Sequence, residues 1–299
     1  MAVTTPGGPK GLYPDQTFIA HEVLPDALLF ELATIAGAIE GDAPAIRVPY
    51  VSADPTVGFV AEGEEIGVVD PELDEVLVRT AKLAHIVRQT NESAAHSDAS
   101  ELLSLSMTRA MTTKANTALF TNPIVRADAE DSTSAVLQPV GLLNSPGLAE
   151  GTGDNVHHWV LDPATNALDP IIDVIAAVES NGGTPTHITT DPKTWAAISK
   201  MKAATDSHVP LMGAPTAQAQ RVLFGLPVIV TPAMAASPGL LITDKNNIIA
   251  ADSALRLATS DQHFFGSDSL ARRATWRIGW TMVHPERTGL LTVETSPAA

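Results

Sequence analysis

Apolar positions along this chain change period several times, and each change predicts an element. Leu28, Leu29, Leu32, Ile35, Ala36 and Ile39 fall at helical spacing, which predicts a helix over 26–40 that Gly41 ends. Residues 45–51 and 75–87 are rich in β-branched side chains and predict two strands. The strongest helix lies over 98–120. Asp98 with Glu101 three residues later makes a capping box, and Leu103, Met107, Met111, Ala115 and Leu119 step by four along one face, joined by Ala110 and Ala118. At 1.5 Å per residue that helix is about 34 Å long.

An α/β pattern follows. Asp169-Pro170 reads as an N-cap with proline at the first helical position, Ile171, Ile172, Val174, Ile175 and Val178 supply an apolar face, and Asn181-Gly182-Gly183 stops the helix. A strand over 186–190 precedes a second Asp-Pro start, Asp191-Pro192, whose helix carries Trp195, Ile198 and Met201. This alternation predicts a mixed sheet flanked by helices. Residues 202–218 are small, polar and broken by prolines, and predict a mobile loop. Short strands are expected at 226–230, 240–243, 248–250 and 254–259. In 271–283, Ala274, Trp276, Ile278, Trp280 and Met282 alternate with Arg273, Thr275, Arg277, Gly279 and Thr281, a period-two strand with one apolar and one basic or small face. A last strand is expected at 290–294.

Two stretches cannot build a core of their own, and a third reads as loop. Residues 1–25 carry Pro6, Pro9, Pro14 and Pro25 with Gly7, Gly8 and Gly11, and read as an arm that needs something to lie on. Residues 123–155 are polar and rich in turn signals. Between the strands at 45–51 and 75–87, Asp54, Glu62, Glu64, Glu65, Asp70, Glu72, Asp74 and Glu75 occur with no Lys or Arg, and with glycines at 58, 63 and 67. Such a segment repels itself, so it is expected to project as a long hairpin. Its apolar residues Val57, Phe59, Val60, Ile66, Val68 and Val69 then need a surface, which a neighbouring subunit could supply.

Composition narrows the classes. Apolar residues make up 44% of the 299 but aromatic ones only 4%, which suits thin layers and flat contacts. The 34 acids against 18 bases give a net charge of −16, which opposes tight binding to phosphate, because polyanion affinity comes from Lys and Arg displacing counterions. There is no cysteine, so disulfides and Cys-based zinc sites are excluded. The first ten residues lack the pattern of a signal peptide, and no apolar run approaches the length needed to cross a bilayer.

Catalytic signatures are missing. The chain has neither G-x-S-x-G nor a P-loop, and Gly151-Thr152-Gly153 lacks the third glycine and preceding strand of a dinucleotide fingerprint, so it reads as a turn. His157 and His158 are adjacent, and neighbours on a strand point to opposite faces, so joint metal ligation is not expected. His85, His96 and His284 are isolated and are expected to pack in a core or an interface. The alternating acids from Asp70 to Asp74 lack the glycine and terminal glutamate of a calcium loop. No catalytic, cofactor or metal residue is expected. Subunit contacts are: Glu62, Glu64, Glu65, Asp70 and Glu72 of one copy are expected to face Arg272, Arg273, Arg277 and Arg287 of the next, setting register between subunits.

The order of arm, helix, acidic hairpin, long helix, α/β unit and final long strand resembles the tailed-bacteriophage major capsid fold of the Hong Kong phage type. Leu223-Phe224-Gly225-Leu226-Pro227-Val228, then Ile242-Thr243-Asp244, Ala250 to Arg256, and Arg277-Ile278-Gly279 through Val283, His284 and Pro285 look like the C-terminal half of such proteins. The resemblance implies an α+β fold with an N-terminal arm and short helix (1–45), an extended loop (46–90), a peripheral domain with a spine helix (91–160 and 260–299) and an axial α/β domain (161–259). It implies a structural protein, not an enzyme, whose copies assemble as hexamers and pentamers into an icosahedral shell around phage DNA. The partners implied are further copies, a portal, a separate scaffold protein and a cement protein, with DNA enclosed without sequence-specific binding and no membrane. The location implied is the virion, assembled in the host cytoplasm. Family members with a fused scaffold carry about a hundred extra N-terminal residues. Here the first strand is reached by residue 45, so the scaffold is expected to be a separate chain. Members that weld subunits use a loop lysine, and 54–75 has none, so no such cross-link is expected. An encapsulin-like compartment that encloses enzyme cargo is the alternative within the fold. A soluble α/β enzyme is the alternative from another class, and it would need converging nucleophile, base and anion-stabilising donors.

Overall fold

The structure, a computed structural model, describes residues 15–39, 43–53, 57, 59–60, 63, 72–94, 97–131, 133–149, 151, 153–161, 168–201 and 221–295. In chain order its elements begin with β1 (Asp15–Phe18), α1 (Ala20–Val23), α2 (Leu28–Leu32), β2 (Thr34–Ala38), β3 (Ala45–Ala53), β4 (Glu72–Thr90), α3 (Asn91–Ala94) and α4 (Ser97–Thr121). They continue with β5 (Val156–Leu161), α5 (Asp169–Ser180), β6 (His187–Thr190), α6 (Pro192–Ser199), β7 (Val222–Leu223), β8 (Leu226–Val230) and β9 (Gly239–Thr243). The last strands are β10 (Ile248–Asp252), β11 (Leu255–Phe264), β12 (Ser269–Met282) and β13 (Gly289–Thr295).

The period-two run near the C-terminus becomes the centre of a seven-stranded sheet. Along one edge of β12 lie β11, from Thr275 towards Ser269, and β10, from Met282 to Ile278. β4 pairs antiparallel with β12 from Thr90↔Ser269 to Thr80↔Gly279, and its other half pairs with β3 as the stem of the hairpin. β1 and β2 extend the sheet beyond β11 and β10. The apolar face of β12, Ala274, Trp276, Ile278 and Trp280, is buried as its alternation predicts. It packs in one core with Leu29 and Leu32 of α2 and with Met107, Met111, Ala115 and Leu119 of α4.

The second sheet has six strands in the order β5-β13-β9-β6-β8-β7, with β5∥β13 and β6∥β8 parallel and the rest antiparallel. Ile171 and Val174 of α5 and Ile198 of α6 bury against Ile188, Val228, Leu240, Ile242, Leu291 and Val293. This is the mixed, helix-flanked sheet expected from the α/β pattern. The sheets divide the chain at points other than 161 and 259: Ile248–Asp252 and Leu255–Phe264 belong to the larger sheet, and Val156–Leu161 and Gly289–Thr295 to the smaller.

Four local expectations are corrected. The helix over 26–40 stops at Leu32, and Thr34–Ala38 is a strand paired parallel with β10. Leu29, Leu32 and Ile39 are buried while Ile35 and Ala36 face outward, so the apolar spacing alone did not separate the two outcomes and the open edge of β10 decided. α4 begins at Ser97, so Asp98 lies inside its first turn and is not the cap. Ala110 is exposed, outside the buried stripe. Likewise Asp169 is the first residue of α5, whose N-cap is Leu168. At the second Asp-Pro the cap forms as expected: the Asp191 carboxylate accepts from Lys193 N (2.9 Å) and Thr194 N (3.1 Å). The stop after α5 also forms, with Gly182 at φ +77° and Gly183 N donating to Val178 O at 3.0 Å. The loop expected over 202–218 and most of the N-terminal arm lie outside the described residues.

Leu223 to Leu226 of the resemblance is a two-residue hairpin between β7 and β8. Phe224 (φ +50°) and Gly225 (φ +82°) both take the left-handed conformation that such tight turns require. Between the sheets runs the turn 283–288, clamped by buried side chains. Asn247 Nδ2 donates to His284 O (2.7 Å) and Thr288 Oγ1 (3.1 Å), while Asn155 Nδ2 donates to Thr288 O (2.7 Å) and Pro285 O (3.1 Å). Among the described residues no helix is long and apolar enough to cross a membrane.

Candidate functional site

Residues directly opposed on paired strands share a face of the sheet, so the register of β11, β12 and β4 sorts their side chains. Arg273 stands between Ile86 and Ala258, Thr275 between Ala84 and Arg256, and Arg277 opposite Lys82, with Arg88 opposite Ala271. Lys82, Arg88, Arg256, Arg273 and Arg277 therefore share one face. The other face carries Leu83, Val87, Leu255, Trp276 and the core beneath α4. The segments 80–90, 255–260 and 269–282 contain no Asp or Glu, in a chain with net charge −16, although Asp261 follows on β11 and Asp15 of β1 pairs with Ala258.

That face is open. Lys82, Arg88, Arg256 and Arg273 are exposed, and Ile86 among them keeps 56% of its surface in solvent. Arg88 is held in place, its Nε donating to Ser269 Oγ (3.1 Å) and its guanidinium lying 5.5 Å from the Phe264 ring centroid. Arg277 sits at the rim, where its Nη1 donates to Thr80 Oγ1 at 3.0 Å. Of the four arginines expected to act together, Arg273 and Arg277 are brought onto this face. Arg272 lies on the opposite face, paired with Val87 and Thr259. Arg287 is elsewhere, in the turn before β13, with Nε donating to Asn181 O at 3.2 Å. The expectation missed Lys82, Arg88 and Arg256. Lys82 and Arg256 lie on predicted strands and Arg88 one residue past one, but only the register reveals that they meet Arg273.

The expected acidic partners occupy the hairpin. Glu72 opens β4 as the residue paired with Ala53, while Glu62, Glu64, Glu65 and Asp70 lie outside the described residues. Beyond the paired stem, Val57 and Phe59 are fully exposed (90% and 111%) and Val60 is 45% exposed. At the stem, Arg47 Nη1 pairs with Glu75 Oε2 at 2.9 Å, both side chains largely in solvent. Tyr50 OH donates to Asp74 Oδ2 (3.4 Å), and its ring meets His284 edge to face with centroids 5.7 Å apart. His284 Nδ1 in turn lies 3.1 Å from Glu286 Oε1. Loss of solvent, and then the Asp74 carboxylate, raise the Tyr50 phenol above its ordinary pKa, so it stays a neutral donor. These contacts fix where the hairpin leaves the body.

A cavity of about 200 Å³ beside the stem is lined by Leu77, Arg79, Val136, Gln138, Ser145 and Trp280 among others, with no His, Asp, Glu or Lys to act as a base for Ser145. No group of three or more His, Cys, Asp or Glu side chains is placed to hold a metal ion. His157 Nε2 meets Asp154 O (2.7 Å), whereas His158 Nδ1 meets Thr292 Oγ1 on β13 (2.9 Å), so the adjacent pair serves two separate contacts.

Residues 21–292 match the family model described as the phage capsid family. No curated protein matches the sequence. Among solved structures, the capsid of a native GTA particle computed with C5 symmetry is 19% identical, with a TM-score of 0.66, covering 90% of this chain and 91% of that one. The structure titled Gordonia phage Cozz is 15% identical at a TM-score of 0.64, with 90% and 87% covered. That titled Microbacterium phage Oxtober96 is 14% identical at a TM-score of 0.62, with 98% and 95% covered.

Proposed function

The chain belongs to the phage capsid family, and on that premise we propose that its copies assemble as hexamers and pentamers into an icosahedral shell enclosing phage DNA. The family match over residues 21–292 carries this reading, and the likeness to capsid structures along some nine-tenths of the chain supports it. The family is a structural one, and no catalytic activity is part of the proposal. A phage shell is favoured over an encapsulin-like compartment, because both the family model and the similar structures are those of capsids.

In this proposal the hairpin of β3 and β4 is the extended loop that lies on an adjacent subunit, α4 is the spine of the peripheral domain, and the six-stranded sheet with α5 and α6 is the axial domain. Exposed Val57 and Phe59 favour the first assignment, since both lack cover within their own chain. A separate scaffold, a portal and a cement protein complete the set of partners. DNA is enclosed without sequence-specific contacts, and assembly takes place in the host cytoplasm before the shell becomes part of the virion. Negative-stain microscopy of the purified protein, alone and with co-expressed head proteins, tests the reading: rings or closed shells are expected, and a chain that stays monomeric in every mixture sinks it.

A further inference from the structure

Where the stem of β3 and β4 leaves the body, a cavity of about 200 Å³ remains between the stem and the loop that follows α4. Alternation along β4 builds one wall. Val76 and Val78 turn to a small core with Ile39 and Ala251, so Leu77 and Arg79 turn the other way, onto the side of Trp280. The loop builds the other wall and is tied to the end of α4 and to β12. Asn144 Nδ2 donates to Thr121 O (3.1 Å) and Asn122 O (3.0 Å), and Trp280 Nε1 donates to Val140 O (2.7 Å). The space is therefore formed before anything enters it.

Its polar groups are unused. Among the described residues the Arg79 guanidinium and the Ser145 hydroxyl have no hydrogen-bond or ion partner, and no acid lines the cavity. On the same face of the stem, Glu75 is already taken by Arg47 at 2.9 Å. Arg79 is half-buried, so an anion beside it is less screened than one at the open surface. The rest of the lining is largely apolar: Trp280 and Leu142 are buried, and Leu77 is 40% exposed at the mouth. Size narrows the occupant. The volume equals that of about six or seven waters and lies below the roughly 300 Å³ at which pockets for drug-sized ligands begin, so a nucleotide is excluded and a single anchor group fits.

We propose that this cavity is an anchor site for a partner peptide, taking one carboxylate together with a neighbouring apolar group. The carboxylate accepts from Arg79 and from Ser145 Oγ, and the apolar group lies on Trp280 and Leu77. Guanidinium geometry suits a carboxylate, which it can meet with two parallel N–H donors. An anion without an apolar body would use Arg79 and leave the Trp280 wall wet. Because Arg79 belongs to the stem and Ser145 to the loop, an occupant bridges the two and braces the point where the hairpin leaves the body.

The site belongs to a single chain, so its test stands apart from the shell reading. The probe is 3-phenylpropionate, a carboxylate on a short aromatic body, added to the full chain labelled with 5-fluorotryptophan. The chain has four tryptophans, and single Trp→Phe variants assign their fluorine signals. A saturable shift of the Trp280 signal at millimolar acid is expected, the affinity that suits so small a ligand. The uncharged amide of the probe and inorganic phosphate are each expected to bind about tenfold more weakly or less. Arg79→Met is expected to weaken the acid by about tenfold or more, the loss of one hydrogen bond to a charged group, while Arg79→Lys keeps part of the binding. Circular-dichroism melts check that both variants fold; if Arg79→Met does not, Arg79→Lys and the comparison of acid with amide on the unaltered chain still decide. Two capped dipeptides, acetyl-leucyl-glutamate amide and acetyl-glutaminyl-leucine, carry the carboxylate on a side chain and at a chain end, and a Trp280 shift with either supports the proposal and names the source. Equal binding of acid and amide overturns it in favour of apolar filling alone. Equal binding of phosphate overturns it in favour of a simple anion site, and a Trp280 signal that no probe moves overturns it outright.

Discussion

At the scale of single residues, two positions are set by what surrounds them. Gly279 sits where β12 passes β4, and a Cβ added there would overlap the Arg79 carbonyl. Gly279→Ala must therefore push the two central strands apart. A loss of about 1–3 kcal/mol is expected from chemical denaturation, larger than an exposed Gly→Ala change produces. His85 lies on the core face opposite Ala274, and its Nε2 has no hydrogen-bond partner among the described residues. Burial lowers its pKa, as it does for His187. The unfolded chain then takes up protons near pH 6.5 that the folded one resists, so stability is full above that pH and falls as acid is added. Urea midpoints should drop between pH 7.5 and 5.5, and His85→Leu should remove part of the drop. A midpoint that rises on acidification would contradict this.

At the scale of elements, caps and edges explain which expectations held. Asp191 is buried, accepts from two backbone N–H groups of its helix, and its Oδ1 also takes Gly239 N at 3.3 Å. Asp191→Ala leaves all three donors without that acceptor and is expected to lower stability by about 2–4 kcal/mol, with α6 the first element to lose amide-exchange protection. Asp169 offers the same Asp-Pro signal one position later in its helix and makes no cap. α4 shows the reverse case: a stripe of four buried residues, Met107, Met111, Ala115 and Leu119, was legible from spacing alone because one sheet face covers one helix face. Its remaining sides hold threonines that bond back to the turn before, as Thr112 Oγ1 does to Thr108 O (3.1 Å) and Thr117 Oγ1 to Thr113 O (2.8 Å).

At the scale of the whole molecule, the two sheets share an apolar core, in which Leu241 and Leu290 meet Trp276 and Trp280, and a buried polar hub. Asn155, Asn247 and Thr288 are buried, and their hydrogen bonds hold the turn that passes the chain from β12 to β13. His284 N also donates to Asn247 Oδ1 at 2.8 Å. Asn247→Ala strips three of these bonds at once. Thermal unfolding is expected to lose its single transition, with the six-stranded sheet melting apart from the seven-stranded one, and scanning calorimetry reads this directly. A single, equally sharp transition at an unchanged temperature would show that the sheets are coupled elsewhere.

Local rules determined much of this protein before any tertiary contact was considered. Period two placed β12 and named its buried face, period four placed α4, Asp191-Pro192 and Gly182 bounded their helices, and eight carboxylates without a Lys or Arg marked 54–75 as a segment with no core of its own. Each depends on neighbours within a few residues, where backbone geometry fixes which side chains align. Pairing between distant strands decided the rest. It turned 34–38 from helix to strand, sent β13 into the smaller sheet, and separated Arg272 from Arg273. It also gathered Lys82, Arg88, Arg256 and Arg273 from three strands onto one open face. A one-residue change of register would have turned those bases toward the core, and register is set by packing across the sheet, which no stretch of sequence contains by itself.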